Sequence, residues 1–178
     1  MKSNQSDMKK LILGLILIVG VGLLLITGCD GGLEETYQNE FFSVDYPESW
    51  HILEEQQRRE EIGVLIADAD TEEDFKETIM AVKELNVEIS ESEFREGVEE
   101  KINFMFAGEN IGEIEETEIN GNLAFKANHS LEEDGKEYNL DIAFIYIDNR
   151  NYVLVYVGEV EHYNEDLSQE IFESFIVN

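Results

Sequence analysis

Two dipeptides, Asn120-Gly121 and Asp134-Gly135, constrain this chain more than any other feature. Both pairs favour the positive-φ backbone of tight hairpin turns, which most residues disfavour. Around them, Leu123, Phe125, Ala127, His129 and Leu131 fall on alternate positions, and so do Tyr138, Leu140, Ile142, Phe144 and Tyr146. Period-two alternation between turn pairs predicts antiparallel strands with one apolar face. The next segment, "NYVLVYVGEV", is apolar at both parities, which places it in the middle of a sheet covered on both sides. Upstream, Phe42, Val44 and Tyr46 alternate until Pro47 ends the run. Trp50 opens another extended piece, and "IGVLIADA" reads as a buried strand. Residues 78–86, "TIMAVKELN", read as a strand preceded by a helical turn.

The period changes after Val87. Ser90 and Glu93 have the spacing of a capping box, and Phe94, Val98, Ile102 and Met105 or Phe106 then recur every three to four residues. That pattern predicts an amphipathic helix from about Glu91 to Phe106. Leu167, Ile171 and Phe175 mark a closing helix. Together these segments predict an α+β chain with a central antiparallel β-sheet flanked by helices.

The N-terminal part has a different composition. Lys9 and Lys10 precede Leu11 to Thr27, seventeen residues without a charge, and the chain's single cysteine, Cys29, follows directly. One thiol makes no internal disulfide. Basic residues before an apolar run are the parts of an export signal. The residues before the thiol, Ile26, Thr27 and Gly28, resemble the bacterial lipobox: an aliphatic residue and small ones, then the cysteine that is lipidated. The resemblance implies a diacylglyceryl group on Cys29 and cleavage after Gly28. Two acyl chains suffice for stable anchoring, at about 0.8 kcal/mol per buried methylene. The other reading, an uncleaved membrane helix, gives the same topology. Lys2, Lys9 and Lys10 hold the N-terminus inside, so the domain lies on the extracytoplasmic face of the cell membrane. The chain accordingly divides into a signal peptide (1–28), a lipidated cysteine with a spacer (29–36) and one domain (37–178).

Removing residues 1–28 takes away three lysines and one aspartate. Nine Lys/Arg then face forty Asp/Glu across 150 residues, a formal charge of −31. Such a surface repels nucleic-acid phosphates, so DNA and RNA are excluded as partners. Three readings of the acidity stay open. The surface could be of halophilic type, adapted to high external salt, or it could bind divalent cations or a basic partner, or the chain could be disordered. Patterned apolar residues, 43% of the chain, argue against disorder.

A family resemblance follows from several stretches in order. "FFSVDYPESW", then "EINGNLAFKANHSLEEDGKEYNLDIAFIYIDNRNYVLVYV", then "YVLVYVGEVEHYNEDLSQEIFESFIV" are similar to the opening, middle and close of PsbP-like domains. The resemblance spans about Glu40 to Val177. It implies an α/β/α sandwich around an antiparallel sheet, an accessory or binding role, and no shared catalytic residues.

Motifs for catalysis are missing from the sequence. It holds no G-x-S-x-G, H-E-x-x-H, P-loop or G-x-G-x-x-G. His51, His129 and His162 fall on separate elements; His129 reads as a core or edge residue and the other two as surface residues. Asp68, Asp70, Glu72 and Asp74 in "DADTEED" place carboxylates at alternate positions, as a calcium loop does. Glu73 stands where that loop needs glycine, and Ile79 where it needs a bidentate glutamate. Trp50 and Tyr46 read as core residues. No catalytic residue and no cofactor are expected. The expected role is that of a membrane-anchored, non-enzymatic accessory or binding module for a membrane or envelope protein. The alternative is a solute- or cation-binding lipoprotein serving a transporter or an envelope stress response. If the acidity is salt adaptation, the isolated domain melts at a lower temperature as sodium chloride is removed. A melting temperature independent of salt contradicts that reading.

Overall fold

The computed structural model describes residues 32–57, 61–69, 75–84, 88–105, 112–133 and 135–178. Ten strands and two helices follow one another in them: β1 (Leu33–Gln38), β2 (Phe42–Pro47), β3 (His51–Gln57), β4 (Glu61–Ala69), β5 (Phe75–Glu84), α1 (Glu91–Met105), β6 (Glu115–Ile119), β7 (Asn122–Glu133), β8 (Lys136–Ile147), β9 (Arg150–Glu159), α2 (Glu165–Ser174) and β10 (Ile176–Val177). Seven strands form one antiparallel sheet in the order β3-β4-β5-β9-β8-β7-β6, and β1-β2-β10 form a second antiparallel sheet.

The hairpins lie where the turn pairs put them. Asn120 and Gly121 have φ of 50° and 75°, and they join β6 to β7 with Ile119 paired to Asn122. Gly135, at φ 81°, joins β7 to β8. β9 is fourth in the large sheet. Tyr152, Leu154 and Tyr156 are buried on one of its faces and Val153 and Val155 on the other, as its two-sided apolar pattern requires.

Each face of the large sheet is covered differently. On one, Phe94, Val98 and Ile102 of α1 pack against Leu140, Ile142, Phe144, Val153 and Val155. The predicted capping box starts this helix: the Ser90 N–H donates to the Glu93 carboxylate at 2.8 Å, and the Glu93 N–H donates back to the Ser90 hydroxyl at 3.3 Å. Arg95 bonds Glu91 at 2.8 Å and Glu116 at 2.6 Å, tying α1 to the β6 edge. On the opposite face, Ile66, Ile79, Leu154 and Tyr156 meet Phe42, Val44 and Tyr46 of β2 and Ile171, Phe172 and Phe175 of α2.

The expected central sheet flanked by helices, the α/β/α sandwich, is therefore corrected. The domain is mostly β, with two antiparallel sheets and two helices. The segments read as a spacer and as the strand before Pro47 pair with each other, and Ile176 and Val177 add to them. They lie over the large sheet as a second sheet beside α2. β1 begins at Leu33, inside the stretch read as a spacer; "LEETYQ" buries only Tyr37 fully and gives little apolar signal. β5 begins at Phe75, so residues 75–77 are strand where a helical turn was expected.

Phe42 joins the two layers. It is fully buried and lies 5.5 Å from the Phe175 ring, which in turn meets Tyr152 edge-on at 5.7 Å. Truncating a buried phenylalanine costs about 3–5 kcal/mol. Phe42→Ala should lower the urea midpoint by a corresponding amount without changing the denaturant slope.

Candidate functional site

Along the α2 face, the large sheet changes from apolar to polar toward one end. The row Val64, Ala81, Leu154 and Ala143 is apolar; two residues further, Ile66, Ile79 and Tyr156 are followed by Asp141 and Asn128. The last row reads Asp68, Glu77, Gly158, Asn139 and Ser130. Register alone brings these side chains together from five strands, since residues of one parity share a face.

Glu77 sits at the centre of this polar end and is buried at 9% exposure. The Tyr156 hydroxyl donates to its carboxylate and accepts from the Asn164 N–H at 3.3 Å. Burial pushes the Glu77 carboxyl above its ordinary value. The Tyr156 hydrogen bond opposes this, the Asp68 charge adds to it, and His162 and the Asn164 backbone pull it back. The Tyr163 hydroxyl donates to Asp141 on β8, and its ring lies 5.5 Å from that of Tyr156. Both tyrosine hydroxyls are held far above their ordinary pKa, first by burial and then by the carboxylates they bond. Trp50 also stacks on Tyr156, with centroids 6.3 Å apart and planes 12° from parallel.

The segment from Glu159 to Asn164 crosses this end because residue 158 has no side chain. A Cβ there would stand 3.1 Å from the Tyr163 Cα and 3.3 Å from the Glu77 Cγ. Asn164 then caps α2, its side-chain oxygen accepting from the Leu167 N–H at 3.1 Å. Beside the start of α2 lies an open cavity of about 240 Å³, bounded by Glu113, Glu115, Lys126, Asp141, Glu165 and Phe172. Lys126 is paired across the strands with Glu115, and its ammonium lies 5.6 Å from the Phe172 ring centre. Asp141 thus belongs both to the cavity wall and to the tyrosine cluster. The arrangement has the chemistry to hold a small polar solute with an amine or hydroxyl group.

The sequence-derived residues are distributed as follows. Ile26, Thr27, Gly28 and Cys29 lie outside the described residues, and so do Asp70, Glu72 and Asp74. Asp68, half-buried, is paired with Glu77 across β4 and β5. Among the described residues, no group of three or more His, Cys, Asp or Glu is arranged to hold a metal ion. His51 and His162 are exposed, and His129 is buried opposite Leu140 on the α1 face, so the three histidines do not converge. Tyr46 and Trp50 are core. Sequence reasoning missed Glu77, Asp141, Tyr156 and Tyr163. A signal was present for the first: Glu77 shares parity with Ile79 and Ala81, so any strand that buried those two had to bury the carboxylate as well.

No protein-family model and no curated protein matches the chain. Solved structures do resemble it. A crystal structure of a protein from Bacteroides thetaiotaomicron VPI-5482 superposes with a TM-score of 0.60 at 12% identity, covering 84% of this chain. This chain spans about half of that protein, 49% of its length. LpqN of Mycobacterium tuberculosis, described as involved in cell envelope biogenesis, gives a TM-score of 0.47 at 17% identity over 77% of this chain and 83% of its own. The first likeness shows a shared fold.

A carboxyl whose folded pKa is raised binds its proton more tightly in the folded than in the unfolded chain. Its contribution to stability is therefore lost as pH rises from the ordinary carboxylate range through the raised value. Glu77→Gln keeps an acceptor for Tyr156 and removes the titration. The variant should melt higher than the parent at neutral pH, and the gap should close below pH 4. A constant gap at every pH would show that Glu77 is not the titrating group.

Proposed function

We propose that this protein is a lipid-anchored extracytoplasmic lipoprotein whose domain serves as a non-enzymatic accessory or binding module for a membrane or envelope protein. The observation that carries this reading is Ile26-Thr27-Gly28-Cys29 at the end of an uncharged run behind Lys9 and Lys10. The fold supports it in one respect: the first strand starts at Leu33, four residues beyond the cysteine, so the domain stays beside its anchor. The hydrogen-bonding of Glu77 and Asp141 supports a binding rather than a catalytic use. Both carboxylates are engaged by tyrosine hydroxyls that hold the 159–164 segment in place.

A second reading, a solute- or cation-binding lipoprotein, is favoured by the cavity beside α2, where Glu113, Glu115, Asp141 and Glu165 surround one lysine. One experiment addresses both. Cells expressing the full chain are crosslinked, extracted at native salt, and captured proteins are identified by mass spectrometry alongside the Cys29→Ser variant. The accessory reading expects one dominant membrane partner for the parent, and an unlipidated, unprocessed precursor for Cys29→Ser. A normally processed Cys29→Ser chain would overturn the lipoprotein assignment. A parent with no partner, whose melting temperature rises with a small amine, would favour the solute-binding reading.

A further inference from the structure

The length of the tether and the strand order together orient the domain on its membrane, given the lipid anchor proposed above. Leu33 lies four positions beyond Cys29, and an extended chain covers at most about 14 Å over that distance. Leu33 is paired with Pro47 at the corner of the small sheet, so this corner stays within that reach of the lipid headgroups. Pro47 is followed by a tight turn, in which the Trp50 N–H donates to the Pro47 carbonyl at 2.9 Å, and β3 begins at His51.

The large sheet then carries this position across the molecule. His51 pairs with Ala67, Ala67 with Thr78, Thr78 with Val157, Val157 with Leu140 and Leu140 with His129. The corner held by the tether is thus continuous with one whole rim of the sheet. This rim comprises the start of β3, the end of β4, the start of β5, the β7–β8 turn and the end of β9. Its side chains include Glu48, Asp68, Glu132, Glu137, Glu159 and Glu161, with Lys136 already bonded to Glu159. The opposite rim, where the Ile89 N–H bonds the Asn149 carbonyl at 3.0 Å, lies about 25–30 Å away along the strands.

We propose that this acidic rim is the surface turned toward the lipid, and that repulsion from anionic headgroups sets how closely it approaches. The tether brings the rim within range and the carboxylates hold it off. The Debye length falls from about 10 Å at 0.1 M salt to about 3 Å at 1 M. The domain therefore stands off the membrane in dilute salt and settles onto it in concentrated salt. The opposite rim, with the start of α1, is left as the surface presented to whatever lies beyond the membrane.

The test uses the full chain, acylated in cells and reconstituted into phosphatidylglycerol vesicles that carry an acceptor lipid. Acylation occupies Cys29, so a cysteine introduced elsewhere is the one free thiol. Donors are attached at Ser49→Cys on the rim and at Glu88→Cys on the far side, both at exposed positions outside the strands and helices. Energy transfer should be at least severalfold greater from position 49 than from position 88. It should increase at position 49 between 0.1 and 1 M sodium chloride, and stay flat on phosphatidylcholine vesicles. Equal or reversed transfer would overturn the orientation. A salt response shared by both vesicle types, or absent from both, would overturn the electrostatic stand-off. Mass spectrometry of the N-terminal peptide separates these failures from failure of the anchor itself. An acylated peptide with equal transfer sinks only the orientation, whereas an unacylated one sinks the anchor and this proposal together.

Discussion

Burial of β9 on both faces is the constraint from which the rest of the architecture follows. Tyr152, Leu154 and Tyr156 point one way and Val153 and Val155 the other, and none tolerates water. A sheet with two apolar faces needs two covers. The fifteen-residue α1 supplies one with a single stripe. The other face is wider than the ten-residue α2, and the remainder is closed by a three-stranded sheet built from both ends of the domain. The join is made by side chains as well as burial. The Asp45 N–H donates to Ser174 at 2.9 Å, and the Asn120 amide donates to the carbonyls of Glu173 and Phe175 at 2.8 and 2.7 Å. The last carbonyls of α2, which no helix can satisfy internally, thereby bind the β6–β7 turn.

The polar end of the α2 face follows from how that cover runs out. Once α2 begins, the preceding segment must cross the sheet, and it crosses over Gly158, where the sheet offers no side chain. Backbone groups and two tyrosines meet carboxylates there. An isolated buried carboxylate is costly, and each of these two takes a hydroxyl donor as partner. Asp141 also opens to the adjacent cavity.

What could be read from the chain depended on how local the signal was. The hairpins of β6 to β9 and the capped α1 are specified by neighbours in sequence: Asn120-Gly121, Gly135, and Ser90 with Glu93. The second sheet is not. β1 carries Glu34, Glu35 and Gln38 beside its apolar residues, β10 is two residues long, and the pairing of β10 with β2 joins positions more than a hundred residues apart. That is why a spacer was expected where a strand stands, and a helix-flanked sheet where a second sheet shares the cover. The tyrosine–carboxylate cluster was illegible for a similar reason. Tyr163 lies in "HYNED", which reads as a polar turn until Gly158 shows that it crosses the sheet.

The partners chosen by the acidic groups bear on the charge of the whole. With forty carboxylates and nine cations among residues 29–178, few acids can have an ion-pair partner. The inward-facing ones use neutral donors instead: Tyr156 for Glu77 and Tyr163 for Asp141. At the domain's periphery Thr36 bonds Asp45 at 2.7 Å and Ser90 bonds Glu93 at 2.7 Å. A hydroxyl–carboxylate bond depends on contact geometry and loses little when salt screens longer-range fields, whereas an exposed ion pair loses much of its small value. Salt would therefore relieve the repulsion among the many carboxylates while leaving the bonds that fix the closing segment in place.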